Sequence, residues 1–176
     1  MHPLIPQAIG ILAVALFLLC YQFKRRRAII LCNALSRALY ILQYLLLGAI
    51  AGAVLDILGL LCSLVAQRKD TGFVRRHTRA IFIALNLSVV AAGVTLAILR
   101  RAPLDLLPIF GVLLHTGAFW LGDEKRIRAV SLAGSPFWLV YNLASRAYGS
   151  AVGDALTIGS ILLAMLRYRK TKRDQT

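Results

Sequence analysis

The chain has 176 residues, of which 59% are hydrophobic, and it carries a formal net charge of +14. Its mean hydropathy is +0.73 and its apolar runs are roughly twenty residues long, which excludes a water-soluble domain and predicts a polytopic helical membrane protein. The basic residues form short clusters between the apolar runs, where membrane orientation accounts for them. A nucleic-acid partner is therefore not predicted.

Seven transmembrane helices are predicted, each within about one turn of the length that a ~30 Å hydrocarbon layer requires. The first follows a short segment that has no Lys or Arg and no clean cleavage site, so we expect a retained helix and not a removed signal peptide. In chain order, the predicted spans cover residues 3–22, 28–48, 51–67, 79–99, 104–121, 129–145 and 149–166.

The Lys and Arg residues are distributed unequally between the predicted loops. Seventeen of the 21 fall on one side, within 24–27, 68–79, 125–128 and 167–173, and three fall on the other, while Arg37 lies inside a span. Because positive loops face the cytoplasm, the N-terminus is predicted outside and the C-terminus in the cytoplasm. That orientation requires an odd number of spans, which seven satisfies.

The sequence also repeats internally. Residues 10–31 match residues 111–132 without a gap at an offset of 101, and Tyr40 to Asp56 matches Trp138 to Asp154 at an offset of 98. One linker helix between the copies would leave both in the same orientation, so we predict two parallel three-helix repeats in a 3+1+3 arrangement. The predicted units are residues 1–69, a cytoplasmic loop and linker helix at 70–102, a second repeat at 103–170 and a cytoplasmic tail at 171–176.

Polar residues form stripes on the predicted second and sixth spans, at i, i+3, i+4 and i+7 spacing. Asp56 and Asp154 lie on the spans that follow them, and lipid cannot satisfy any of these groups. We therefore expect the stripes to face one another around a cavity or a polar seam, with Arg37 as the partner of Asp56. The candidate site residues are Asp56, Asp154, Tyr40, Trp138, Gln43, Tyr141, Asn142, Asn33 and Arg37.

No enzymatic motif is present. Serine elbows, Walker glycines and HExxH are all missing from the sequence, so no enzyme and no nucleotide or metal cofactor is predicted. Cys20, Cys32 and Cys62 are single and have no ligand spacing, and we interpret them as small buried side chains. His115 is interpreted as a packed or hydrogen-bonded helix histidine.

Two segments resemble a known family. "GILAVALFLLCYQFKRRR" followed by "LYILQYLLLGAIAGAVLD", and the second copy "FWLVYNLASRAYGSAVGD", resemble the Imp-YgjV family of bacterial inner-membrane proteins over nearly the whole chain. The resemblance implies an inner-membrane location, and the family has no settled activity.

More distantly, each half resembles the three-helix unit of SWEET, SemiSWEET and PQ-loop transporters. Trp138 and Tyr141 match the Trp and Tyr of that family's second helix, whereas Tyr40 and Gln43 replace them in the first half. The family's third-helix Asn, which contacts sugar, is replaced by Asp56 and Asp154. Ionised Asp only accepts hydrogen bonds and adds charge, so this departure from the family favours a cationic or amine-bearing solute, or proton coupling, over a neutral sugar.

The sequence therefore predicts a small seven-helix transporter with a site between the repeats. Its expected partners are the lipid bilayer and a small polar or cationic solute, and homo-oligomerisation is left open. The alternative is a non-transporting membrane scaffold or partner-binding protein, in which the same polar stripes are packed shut.

Overall fold

A computed structural model describes residues 4–20, 23, 25–121 and 123–173, which form eight α-helices, one short 3₁₀ helix and no strand. The predicted boundaries at Pro3, Tyr21 and Gln22, the basic residue Lys24, and the end of the tail at 174–176 lie outside these described residues. The helices are α1 (Leu4–Cys20), α2 (Arg26–Leu47), α3 (Ile50–Gln67), α4 (Gly72–Arg76), α5 (Thr78–Arg100), α6 (Leu107–Ala118), α7 (Glu124–Ala144) and α8 (Tyr148–Arg173), with the 3₁₀ helix Pro103–Leu106 before α6.

Within the described residues, three helical segments are long and apolar enough to cross a membrane: Arg27–Leu47, Ile50–Gln67 and Thr78–Arg100. Two shorter apolar helices, Leu4–Cys20 and Pro103–Ala118, accompany them. Many large apolar side chains are exposed along the helices, as in Ile98 and Leu99 of α5. In a chain of this hydropathy, lipid is the solvent that such side chains require.

The order of helix packing follows the chain within each half. Helix α1 packs against α2 and α2 against α3, and in the same way α6 packs against α7 and α7 against α8. Helix α5 contacts α3 and α6, while α1 contacts α8. The buried face of α5 is narrow and consists of Val89, Gly93 and Ala97, spaced four residues apart on one side of the helix. Helix α5 is therefore a peripheral element beside two three-helix groups.

The same backbone turn ends α2 and α7. After α2, Gly48 is left-handed at φ 69°, with hydrogen bonds from Gly48 N to Leu45 O (3.3 Å) and from Ala49 N to Tyr44 O (2.9 Å). After α7, the left-handed residue is Arg146, at φ 59°. Its bonds run from Arg146 N to Leu143 O (3.2 Å) and from Ala147 N to Asn142 O (2.9 Å). Both are Schellman turns, and each residue in one corresponds to a residue 98 positions later in the other.

Substitutions at the equivalent positions Gly48 and Arg146 should change the free energy of unfolding in opposite directions. Gly48→Ala should lower the free energy of unfolding by about 1 kcal/mol, because a Cβ disfavours the left-handed conformation. Arg146→Gly should raise it by roughly 0.5–1 kcal/mol, since it removes that strain and the exposed Arg146 side chain loses little. Thermal unfolding in detergent measures both effects. Gly72→Ala is the control, because a Cβ there meets nothing within 4 Å. A lower free energy of unfolding for both Gly48→Ala and Arg146→Gly would contradict backbone strain as the cause.

The fifth predicted span and the loop after α3 differ from the structure for local reasons. The fifth predicted span starts at 104, whereas α6 starts at Leu107 after the 3₁₀ helix. Pro103 and Pro108 each stand in the first turn of their helix, where a missing N–H is tolerated, so the chain forms two short helical starts. Helix α4 was not predicted, because five residues inside a basic loop are too few to show a helical period.

Candidate functional site

The polar stripes of α2 and α7 are buried and face each other in the middle of the bundle. Four aromatic rings join them. The ring of Tyr44 stacks on Tyr40 (centroids 6.2 Å apart, planes at 20°) and on Trp138 (6.0 Å, 13°). Tyr141 meets Tyr44 edge-on at 6.0 Å and Trp138 at 6.1 Å. The stack contains residues from both halves of the chain, so the halves share one aromatic centre.

Hydrogen bonds across this centre link residues that correspond in the repeat. The Tyr44 hydroxyl donates to Asn142 Oδ1 at 2.6 Å, and these two residues are 98 positions apart. Two further bonds form a reciprocal pair. Gly52 N donates to the Tyr141 hydroxyl at 2.8 Å, and Ser150 Oγ donates to Gln43 Oε1. Helix α2 is thus hydrogen-bonded to α8, and α7 is hydrogen-bonded to α3.

Asp56 lies on α3 and forms a buried ion pair with Arg37 of α2, as predicted. Both side chains are 4% exposed. Arg37 Nε also donates to Asn33 Oδ1 at 3.2 Å, so the guanidinium is held from two directions. The pair neutralises both charges, which removes most of the cost that either would have alone in a low-dielectric region.

Asp154 lies on α8 and has a different environment. Its Oδ2 accepts a hydrogen bond from Asn142 Nδ2 at 2.7 Å, and in the described part of the chain no Lys or Arg pairs with it. Asn142 therefore links the Tyr44 hydroxyl to the Asp154 carboxylate. Helical spacing in the sequence places Tyr44, Asn142 and Asp154 on polar faces. It did not predict Asn142 as the partner of Asp154.

A small cavity lies between the two carboxylates. Its volume for water-sized molecules is about 20 Å³, which is room for about one water molecule. Each of the six helices α1, α2, α3, α6, α7 and α8 contributes at least one side chain to its wall. The lining residues are Phe17, Arg37, Tyr40, Tyr44, Asp56, His115, Trp138, Asn142 and Asp154.

Six of the nine sequence-predicted site residues line this cavity, and Asn33, Gln43 and Tyr141 lie behind them. Sequence reasoning did not include Phe17, Tyr44 and His115 among the site residues. Tyr44 could have been found, because its equivalent in the repeat is Asn142. Phe17 gave no signal, since it is one apolar residue in an apolar run. His115 is buried, with Nε2 2.8 Å from Ser131 O, which agrees with its interpretation as a hydrogen-bonded helix histidine.

Several buried polar side-chain atoms of the bundle have no hydrogen-bond partner within the described residues. Gln43 Nε2, Ser131 Oγ and Thr157 Oγ1 are buried and unpaired there. No group of three His, Cys, Asp or Glu side chains in the same residues is arranged to hold a metal ion. The groups that line the central cavity are carboxylates, an amide, hydroxyls, a guanidinium, an imidazole and aromatic rings.

A comparison with known protein families identifies the family of this chain. The Imp-YgjV family model, described as a bacterial inner membrane protein, matches residues 4–172. No curated protein and no solved structure matches the chain. The matched range contains every residue of the seam and cavity.

Proposed function

Because the chain belongs to the Imp-YgjV family of bacterial inner membrane proteins, we propose that it is a small seven-helix transporter of that membrane. Its solute site lies between two parallel three-helix repeats, and α5 is the linker. The observation that carries this proposal is that Asp56, Asp154 and the aromatic stack line one cavity between the two halves. A central site at the interface of repeats is typical of secondary transporters.

Three features of the structure support the repeat architecture. The packing order α1–α2–α3 recurs as α6–α7–α8, the Schellman turns after α2 and α7 correspond at an offset of 98, and the bonds of Gln43 and Tyr141 to the opposite halves are reciprocal. Helix α7, which carries the polar stripe, is not among the candidate spans found in the described residues.

The proposed architecture fixes the orientation of the termini. With seven spans and seventeen Lys and Arg residues on one side, a reporter fused after Thr176 should be cytoplasmic and one fused before Met1 should be periplasmic. Paired alkaline phosphatase and green fluorescent protein fusions at each end measure this. Two ends reporting the same side would show that the number of spans is even and would contradict the 3+1+3 arrangement.

The chemistry of the cavity favours a small organic cation as the solute. The Arg37–Asp56 pair is neutral by itself, so Asp154 is the lining carboxyl group whose negative charge a bound cation would compensate. Tyr40, Tyr44 and Trp138 line the same cavity, and aromatic rings attract ammonium groups. A carboxylate with an aromatic wall suits an amine better than a neutral sugar, whose hydroxyls need both donors and acceptors.

Uptake into proteoliposomes tests this proposal. Purified protein should carry primary or quaternary amines in a saturable manner above protein-free vesicles, and amines should compete with one another but not with neutral sugars or carboxylates. Saturable uptake of sugars in place of amines would support a transporter but would rule out an organic cation as its solute. The absence of flux for all three classes would reject the transporter.

A non-transporting scaffold is the second candidate, and the size of the cavity favours it. A volume of about 20 Å³ does not hold an organic solute, and most polar groups of the seam are bonded within the bundle. On the transporter proposal this arrangement is a closed conformation that opens by movement of one half against the other. The two candidates therefore differ in whether water reaches Asp154.

A further inference from the structure

A second cavity lies at the end of the bundle where α3 ends and α5 begins, away from the central seam. Its volume is about 420 Å³, large enough for a polar headgroup and far larger than the central cavity. The loop after α3, helix α4, the start of α5 and the segment after α6 supply its lining. The lining residues are Lys69, Asp70, Arg75, Thr78, Arg79, Phe82 and Trp120.

The charge of this cavity is strongly positive. Three cationic side chains and one carboxylate line it, which is a net charge of +2. Lys69 is held in place because its Nζ donates to the carbonyl oxygens of Trp120 (3.0 Å) and Leu121 (3.4 Å), just after the end of α6. Arg75 and Arg79 are exposed. Guanidinium groups bind phosphate oxygens with charge-assisted and often paired hydrogen bonds, so the cavity suits a phosphate group.

Apolar surface continues from this cavity into the lipid-facing side of α5. Phe82 and Trp120 pack edge-to-face at 5.6 Å in its wall. One and two turns after Arg79 on α5, Ile83 and Leu87 are 56% and 63% exposed, and Phe73 of α4 is 71% exposed. A free phosphate ion would use none of this surface, whereas the acyl chains of a lipid would lie along it.

We propose that this cavity binds the phosphate headgroup of an anionic phospholipid, with the acyl chains along the exposed face of α5. Basic pockets between membrane helices recognise such headgroups through charge and position at the bilayer surface. The site would hold α3, α5 and the end of α6 to the inner-leaflet side of the membrane. This inference does not depend on whether the protein transports a solute.

Lipid binding to the full-length protein in detergent, followed by native mass spectrometry, tests the proposal. Phosphatidylglycerol and cardiolipin should bind in preference to phosphatidylcholine, and Arg75→Gln and Arg79→Gln should each weaken phosphatidylglycerol binding about fivefold. Arg76→Gln is the matched control, because Arg76 is on the same short helix and exposed but does not line the cavity. Thermal unfolding of all three variants confirms that they are folded.

Three outcomes would overturn the proposal. Equal weakening by Arg76→Gln would mean that a diffuse basic surface, and not this cavity, attracts the lipid. Equal binding of phosphatidylcholine would remove the preference for anionic headgroups. Displacement of phosphatidylglycerol by inorganic phosphate at comparable concentration would show that the ligand is a soluble anion and that the apolar face of α5 contributes nothing.

Discussion

Replacing Arg37 with alanine is expected to lower the free energy of unfolding by about 3–5 kcal/mol, because Asp56 is then left as an unpaired buried charge. Both side chains of the pair are 4% exposed, so water cannot replace the guanidinium. The substitution also leaves Asn33 Oδ1 without the Arg37 donor. Chemical or thermal unfolding in one defined detergent measures the loss.

The double variant separates the charge from the packing. Arg37→Ala with Asp56→Asn should be more stable than Arg37→Ala alone, because the buried carboxylate is gone, yet less stable than the wild type because the volume of Arg37 is still missing. Arg126→Ala is the matched control, since its ion pair with Asp123 (3.9 Å) has side chains that are 77% and 49% exposed, and it should cost about 1 kcal/mol or less. A double variant no more stable than Arg37→Ala would remove the buried pair as the cause.

Asp154→Asn is expected to reduce amine uptake about 10- to 100-fold while the protein remains folded and inserted. The factor is that of a lost hydrogen bond to a charged group. Asparagine keeps the shape of the side chain and can still accept a hydrogen bond from Asn142 Nδ2, so the seam should stay packed. Initial rates of uptake and thermal unfolding, measured on the same preparation, separate the two effects.

Asp105→Asn is the control for this substitution. Asp105 is a buried carboxylate of the 3₁₀ helix that does not line the central cavity, so its removal should leave the uptake rate close to the wild-type value. Uptake by Asp154→Asn equal to that of the wild type would show that the carboxylate is not a ligand of the solute. Equal impairment of both variants would assign the effect to stability.

Much of the central seam could be predicted from the spacing of residues. Helical periodicity identified the buried faces of α2 and α7, and the scarcity of cations near the seam made Arg37 the partner of Asp56. The offset of 98 residues also relates contacts: Tyr44 bonds to Asn142, its equivalent at that offset, and the Gly52–Tyr141 bond corresponds to the Ser150–Gln43 bond. Regular spacing works here because the Schellman turns after α2 and α7 occur at equivalent positions.

Other features of the site depend on three-dimensional geometry, which the spacing of residues in the sequence does not predict. The partner of Asp154 is decided by how far the Asn142 side chain reaches from the last turns of α7. The volume of the central cavity depends on how closely the four aromatic rings stack, and periodicity predicts only that they share a face. The cavity near Lys69 also escaped prediction, because it combines the loop after α3 and the start of α5 with Trp120, which is distant from them in sequence.

The access of water to Asp154 tests the central claim most directly, because it needs no knowledge of the solute. A variant with Cys20, Cys32 and Cys62 replaced by alanine and Asp154→Cys added is exposed to a membrane-impermeant methanethiosulfonate in right-side-out and inside-out vesicles. Val152→Cys in the same background is the control, since Val152 is 61% exposed on the lipid-facing side of α8 and should not react. A transporter predicts modification of the Asp154→Cys variant from both sides of the membrane. Its complete protection from both sides would contradict the transporter and leave a closed scaffold.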